Sequence, residues 1–341
     1  MKKTILITGW LGYIGSHAVV AFEQAWYKCV IVDNLSNSSI DTLNWIEKII
    51  SNKPDFFDVD LRNREDLEEV FEKYDFDWVI HFAWLKAVWE SCEKPLEYFD
   101  NNIVWSIRLF ESMQKYNVKN IIFSSTATVY DFDNEISYIE TQSTWKTTNT
   151  YSTTKYLIEQ ILLDLSKFSN FNVINLRYFN PIWAHKSWFI WESPNGIPNN
   201  LLPYIMQVAK WELPYLKVFW NDYDTIDWTW VRDYIDVVDL IKGHLKAYEI
   251  LLETGLFLRP VSDGLFEVYN LGTGKWVSVF EMLKTAEKIV WKKIQFEIHP
   301  RRNWDLWEFY CNAQKAKEEL GWETKISLEV SLENSWRFYN K

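Results

Sequence analysis

Residues 4–17, TILITGWLGYIGSH, read as a strand, a glycine-punctuated turn and the start of a helix. Thr4 to Thr8 is a short apolar, β-branched run. Gly9, Gly12 and Gly15 then recur at a spacing of three. That spacing lets the backbone turn tightly, approach a pyrophosphate with no Cβ in the way, and seat the helix on the sheet with its N-terminal amides facing an anion. Asp33 ends the next β-branched run, where a carboxylate accepts from adenosine ribose hydroxyls, so the pattern points to NAD rather than NADP.

Outward from this stretch, short β-branched runs alternate with longer amphipathic ones. The predicted strands are residues 4–8, 29–33, 56–61, 79–83, 120–125 and 173–178. Residues 64–74, 96–116 and 151–167 have the length of crossover helices, the last with Leu157, Ile161, Leu162 and Leu165 at core spacing. Such alternation specifies an α/β fold, a doubly wound parallel sheet of the Rossmann type. After Tyr178 the pattern gives way to a Pro- and Asn-rich stretch and then to mixed elements. Residues 1–180 are therefore expected to form the NAD-binding domain, and 181–341 a smaller mixed α/β substrate domain, with elements free to cross between them.

Composition excludes several classes. The chain is 48% hydrophobic and 24% charged, enough to bury a large core, and its net charge of −11 argues against a general nucleic-acid or acidic-membrane binder. Three widely spaced Cys suggest neither a disulfide framework nor a zinc site, and fit a reducing cytoplasm. The five His show no ligand spacing, so no metal is expected. The run from Thr4 to Ile7 is too short for a signal peptide, and no apolar run is long enough to cross a membrane.

Tyr151 and Lys155 stand four apart on a predicted helix, so both project from one face. A tyrosine must shift by about three pKa units, roughly 4 kcal/mol, to act as a base near neutrality. Burial alone moves it the wrong way, so a neighbouring cation is required, and Lys155 can provide one. Ser124, Ser125 and Thr126 end the fifth predicted strand, at the carboxyl edge where such sheets bind ligands. Thr126 could share a proton with Tyr151. Asp60 suits either a turn cap or an adenine contact.

With these residues in view the chain resembles the UDP-glucose 4-epimerases, within the extended short-chain dehydrogenase/reductase family. Besides TGWLGYIGSH, the blocks that carry the likeness include VDNLSNSS from Val32, HFAWLKAVWES from His81, FSSTATVY from Phe123 and YSTTK from Tyr151. VFWNDYDTIDWTWVRDYIDVVDL from Val218, YNLGTGKW from Tyr269 and RRNWDLWEF from Arg301 continue it through the second half.

The resemblance implies tightly held NAD that takes a hydride from sugar C4 and returns it to the opposite face. Tyr151 would remove the 4-hydroxyl proton, Lys155 would hold the nicotinamide ribose, and Thr126 would assist. By matching position Gly9, Gly12, Tyr13, Ile14, Gly15, Asp33, Asn34, Asn37, Ser38, Asp60, Leu61, Phe82, Ala83, Lys86, Asn101, Ser124, Tyr178 and Phe179 would line the cofactor site. Asn180, Asn200, Leu201, Phe219, Arg232, Arg302 and Asp305 would take UDP-glucose or UDP-galactose, with guanidinium forks suited to the diphosphate. Phe309 falls where the family gates room for a 2-acetamido group, and its bulk implies preference for sugars without one. A homodimer is implied as well. The related 4,6-dehydratases need an acidic pair after the strand-five Thr, where this chain has Ala127 and Thr128. A catalytically silent NAD-binding protein stands as the second class of function, against which Tyr151, Lys155 and Thr126 weigh.

One departure from the family runs through the whole chain. It holds 21 Trp and only 10 Gly in 341 residues, and no Gly between residues 16 and 195, against a usual Gly share of about 7%. Trp stands where the family has Gly at Trp10, Trp26, Trp84, Trp89, Trp105, Trp183, Trp188, Trp191, Trp211, Trp220, Trp228, Trp230, Trp276 and Trp304, and also at Trp145, Trp291 and Trp307. Trp322 and Trp336 fit as true Trp, while Trp45 and Trp78 stay open. Drift would scatter over residue types, so a single-type replacement points to one cause: UGA codons that the organism reads as glycine, translated as Trp.

Overall fold

The computed structural model describes residues 2–340 except 10–11, 37, 183–184, 186, 188, 191–197, 199, 220–221, 254–263 and 301–306. The first half runs β1 (Thr4–Thr8), α1 (Tyr13–Gln24), β2 (Lys28–Asp33), α2 (Asp41–Ile50), β3 (Asp55–Asp58), α3 (Arg64–Lys73) and β4 (Trp78–His81). Then follow α4 (Val88–Glu93), α5 (Pro95–Tyr98), α6 (Trp105–Lys115), β5 (Asn120–Thr126), α7 (Thr150–Ser169) and β6 (Asn172–Tyr178). The second half contributes β7 (Asn180–Ile182), α8 (Leu201–Ala209), β8 (Leu216–Phe219), β9 (Val231–Arg232), β10 (Tyr234–Asp236), α9 (Val237–Glu253) and β11 (Phe266–Leu271). It closes with β12 (Val277–Ser278), α10 (Val279–Val290), β13 (Phe296–His299), β14 (Glu308–Phe309), α11 (Gln314–Leu320) and α12 (Leu328–Tyr339).

Seven parallel strands form one sheet in the order β11-β6-β5-β4-β1-β2-β3. Apolar side chains of α1, α2, α9 and α11 cover one face, and those of α3, α6 and α7 the other. The strand order reverses between β1 and β4, and open α/β sheets bind ligands at the carboxyl ends of such a pair. The seventh strand, β11, comes from the second half of the chain. A further core gathers α8, α10, α12 and β8, beside a three-stranded sheet in which β9 lies between β12 and β14.

Two details differ from the sequence reading. The predicted helix over 96–116 is interrupted by a π-helical turn at Phe99–Val104; Asn101 and Asn102 turn their side chains to backbone partners there, as Asn does where it competes with a helix. On α7 the core position is Ile158 rather than Leu157, because Ser152, Lys155, Glu159 and Leu162 set the inward face and place Leu157 off its centre.

Candidate active site

Gly9 leaves β1 at φ +68°, and a Cβ built on it would lie 2.2 Å from the Ala83 Cα. The loops after β1 and β4 thus approach so closely that only glycine fits. Gly12 caps α1 and accepts from the Ser16 amide at 3.2 Å, so the first turn of α1 faces the crevice. An open cleft lies there. Of the residues expected at the cofactor site, Gly9, Gly12, Tyr13, Ile14, Gly15, Asp33, Asn34, Ser38, Leu61, Phe82, Ala83, Lys86 and Ser124 line this cleft. Val32, Ser36, Val59 and Leu85 line it too.

The remaining cofactor expectations lie elsewhere. Asn37 is outside the described residues. Asp60 turns from the cleft to Arg62, accepting from its backbone amide at 2.9 Å and its guanidinium at 2.7 Å. Burial works to raise that carboxyl, but the Arg62 and Asn34 hydrogen bonds outweigh it and hold it below the usual carboxylate range. Asn101 donates to the Glu97 carbonyl at 2.7 Å. Tyr178 and Phe179 are buried in the cores below, the Tyr178 hydroxyl against His244 Nε2.

Beside the cleft, the carboxyl end of β5 meets the first turns of α7. Asn149 caps α7, accepting from the Ser152 amide at 2.9 Å, and fixes where the helix begins. Lys155 is fully buried and its Nζ donates to the Ser124 carbonyl at 2.6 Å. The Tyr151 ring centroid is 5.9 Å from that Nζ. Burial drives the Tyr151 phenol above its ordinary value, against a hydrogen bond from the Thr126 side chain. Burial likewise drives the Lys155 ammonium well below its ordinary range, and Glu159 one turn along α7 opposes this. The three expected catalytic residues therefore converge. Over Lys155 lies Trp84, its ring centroid 2.8 Å from Nζ.

Sequence reasoning missed the supports. Glu159 accepts from Ser125 at 2.5 Å and from Arg177 at 2.6 and 3.0 Å, all three buried, which ties β5, β6 and α7 together. Asn102 accepts from the Leu85 amide at 2.9 Å and donates to Thr154 at 3.0 Å, holding the loop after β4 to α7. The available signals were a Lys–Glu pair at i, i+4 inside an apolar helix face and a paired Asn inside a helical pattern.

On the substrate side, Asn180 opens β7 and its amide donates to the Asp233 carbonyl at 2.9 Å. Asn200 precedes α8 and Leu201 begins it. Phe219 ends β8, its ring stacked on Trp230 at 6.2 Å between centroids. Arg232 pairs in register with Phe309. The Phe309 ring is buried between Tyr138 and Phe179, at 4.8 and 5.2 Å. Arg302 and Asp305 lie outside the described residues. Buried Asp233 accepts from the amides of Thr273 and Gly274, at 2.8 and 2.9 Å, and so locks the strand carrying Arg232.

The family model described as GDP-mannose 4,6 dehydratase matches residues 6–334. A UDP-glucose 4-epimerase of Bacillus subtilis (strain 168) is 47% identical over 336 residues, covering 98% of this chain and 96% of that protein. The chain belongs to the UDP-glucose 4-epimerase family. A solved epimerase from Bifidobacterium longum, in complex with NAD+ and UDP, superposes with a TM-score of 0.92 at 42% identity, covering 99% of this chain and 98% of that one. Another, from Stenotrophomonas maltophila with bound NAD and formylated UDP-arabinopyranose, gives 0.93 at 39% with the same coverage. The short helical turn after Thr126 carries Ala127 and Thr128.

Proposed function

We propose that this chain is an NAD-dependent isomerase that interconverts UDP-galactose and UDP-glucose. The observation that carries the reading is the convergence of Tyr151, Lys155 and Thr126 beside the β1–β4 crevice, at the carboxyl end of β5. The crevice suits NAD: Gly9 is a cradle that a Cβ would fill, α1 turns its N-terminal amides toward it, and the Asp33 carboxylate, held by the Ser38 hydroxyl at 3.0 Å, faces it. When bound, NAD supplies the hydride acceptor for sugar C4 and a positive ring charge.

The chain's own groups handle the proton and the sugar. Tyr151 Oη takes the proton of the 4-hydroxyl and gives it back, with Thr126 as its hydrogen-bond partner. Lys155 stands near the phenol, where its ammonium form supplies the required cation, and Glu159 opposes the loss of that charge on burial. Asn180, Asn200, Leu201, Phe219 and Arg232, with Arg302 and Asp305, take the uridine diphosphate, and the buried ring of Phe309 fills the room that a 2-acetamido group needs. The three free Cys and the net charge of −11 support a cytoplasmic enzyme without nucleic-acid or membrane partners, and we infer a homodimer from the family.

Replacing Tyr151 by Phe tests the reading. UDP-galactose conversion should fall by about 10^2 to 10^4-fold while NAD stays bound. Full activity of Tyr151→Phe would remove the proposed base.

A further inference from the structure

Four of the eight described non-glycine residues with positive φ are Trp: Trp26, Trp211, Trp228 and Trp291, at φ +55° to +67°. True glycines of the same chain, Gly9, Gly274 and Gly321, occupy the same region at +62° to +69°. Three of the four Trp follow helices. Trp291 caps α10 in the left-handed conformation, as Gly321 caps α11. Trp26 and Trp211 sit one residue past the caps of α1 and α8, donating back to Glu23 and Val208 at 3.1 and 3.0 Å. These are the positions at which helices end in glycine, because the left-handed turn penalises a Cβ. Trp is among the residues least suited to them.

Exposure marks several of the same Trp. Trp26, Trp211 and Trp291 are 82%, 72% and 92% exposed, and every exposed Trp among the described residues belongs to the seventeen. Trp322, by contrast, is buried and donates from Nε1 to the Asp239 carbonyl at 2.9 Å, while Trp336 packs on the α8–α10 core. Trp105 is buried, and its indole N–H has no hydrogen-bond partner among the described residues. Trp84 covers Lys155 more closely than ordinary van der Waals separation allows.

We propose that the protein made in its own cell carries glycine at these seventeen positions, its gene's UGA codons being read as glycine, and that glycine at 84 uncovers Lys155 to the cleft. The chain would then hold 27 Gly and 4 Trp in place of 10 and 21. The inference rests on backbone conformation and burial, so it stands or falls apart from the enzymatic reading.

The gene gives the first test. UGA at 26, 84, 211, 228 and 291 with UGG at 322 and 336 is the expected pattern, and UGG at the first five overturns the proposal. The protein gives the second: the tryptic peptide 211–217 from native cells should begin with glycine, lighter than the Trp form by the indolylmethyl group, and a Trp-weight peptide would refute it. As a third, chains from two synthetic genes can be melted side by side. The seventeen-glycine chain should unfold ~10 °C or more above the all-Trp chain, which can also fail to fold; an all-Trp chain that melts as high contradicts the proposal.

Discussion

The two halves of the site are built differently. The cofactor side is local: Gly9, Asp33 and Ala83 end or follow strands of one parallel sheet, all within the first quarter of the chain. The substrate side is assembled from two-residue strands far apart in sequence, with Val231–Arg232 lying between Val277–Ser278 and Glu308–Phe309. Local order makes the cofactor side legible and intolerant of added atoms. Long-range assembly makes the substrate side dependent on a few buried anchors such as Asp233.

The largest effect that would sharpen this contrast comes from Gly9→Ala. Its Cβ meets the Ala83 backbone at 2.2 Å, so we expect cofactor binding to be lost and stability to drop by several kcal/mol, ~3 or more. Gly12→Ala, with only the Gly9 carbonyl at 3.6 Å, should leave the fold nearly unchanged. Denaturant unfolding with NAD titration reads both, and equal tolerance at the two positions would break the account of the close approach.

Breaking the buried Arg177–Glu159 pair should come next. Arg177→Met leaves the Glu159 carboxylate uncompensated, for about 3–5 kcal/mol of destabilisation. Glu159→Gln should lose less stability, yet shift the alkaline limb of the pH–rate profile, because the charge that opposes the desolvation of Lys155 is gone. An unmoved profile would reduce Glu159 to a structural tie.

On the substrate side the expected loss is in binding. Arg232→Lys removes a bidentate fork and should raise KM for UDP-galactose by roughly tenfold, about 1.4 kcal/mol, with kcat little changed. A fall in kcat alone would place Arg232 in the chemistry instead. A pH-dependent effect concerns Asp236, whose carboxyl is pushed up to about 7 by burial, against hydrogen bonds from Ser331 and the Val238 amide. A raised carboxyl favours the folded state most at pH below its unfolded value near 4, and that contribution is lost as pH rises through 7. Asp236→Asn should therefore flatten the melting temperature between pH 5 and 8, and an unchanged slope would contradict the assignment.

Much of the fold and the cleft could be read from residues alone, for a physical reason. Strand 4–8 and the glycines after it combine period, punctuation and position within a few residues, and the i, i+4 spacing of Tyr151 and Lys155 needs only a helix to bring them together. Other features depend on distant partners. Asp60 suits an adenine contact or a turn cap on sequence alone, and the bond it accepts from Asn34 on the neighbouring strand's end needs the fold. Glu159 gains its role only through the fold, which brings Arg177 and Ser125 to it. Phe309 faces Tyr138 and Phe179 through a parallel pairing with β9 that no local pattern announces.

Hydride return within one site is the central claim, and isotope retention measures it most directly. UDP-galactose bearing deuterium at C4, incubated with the seventeen-glycine chain, should give UDP-glucose with the deuterium kept at C4 and no reduced cofactor released. Deuterium lost to water, or a stoichiometric release of NADH, would contradict the account.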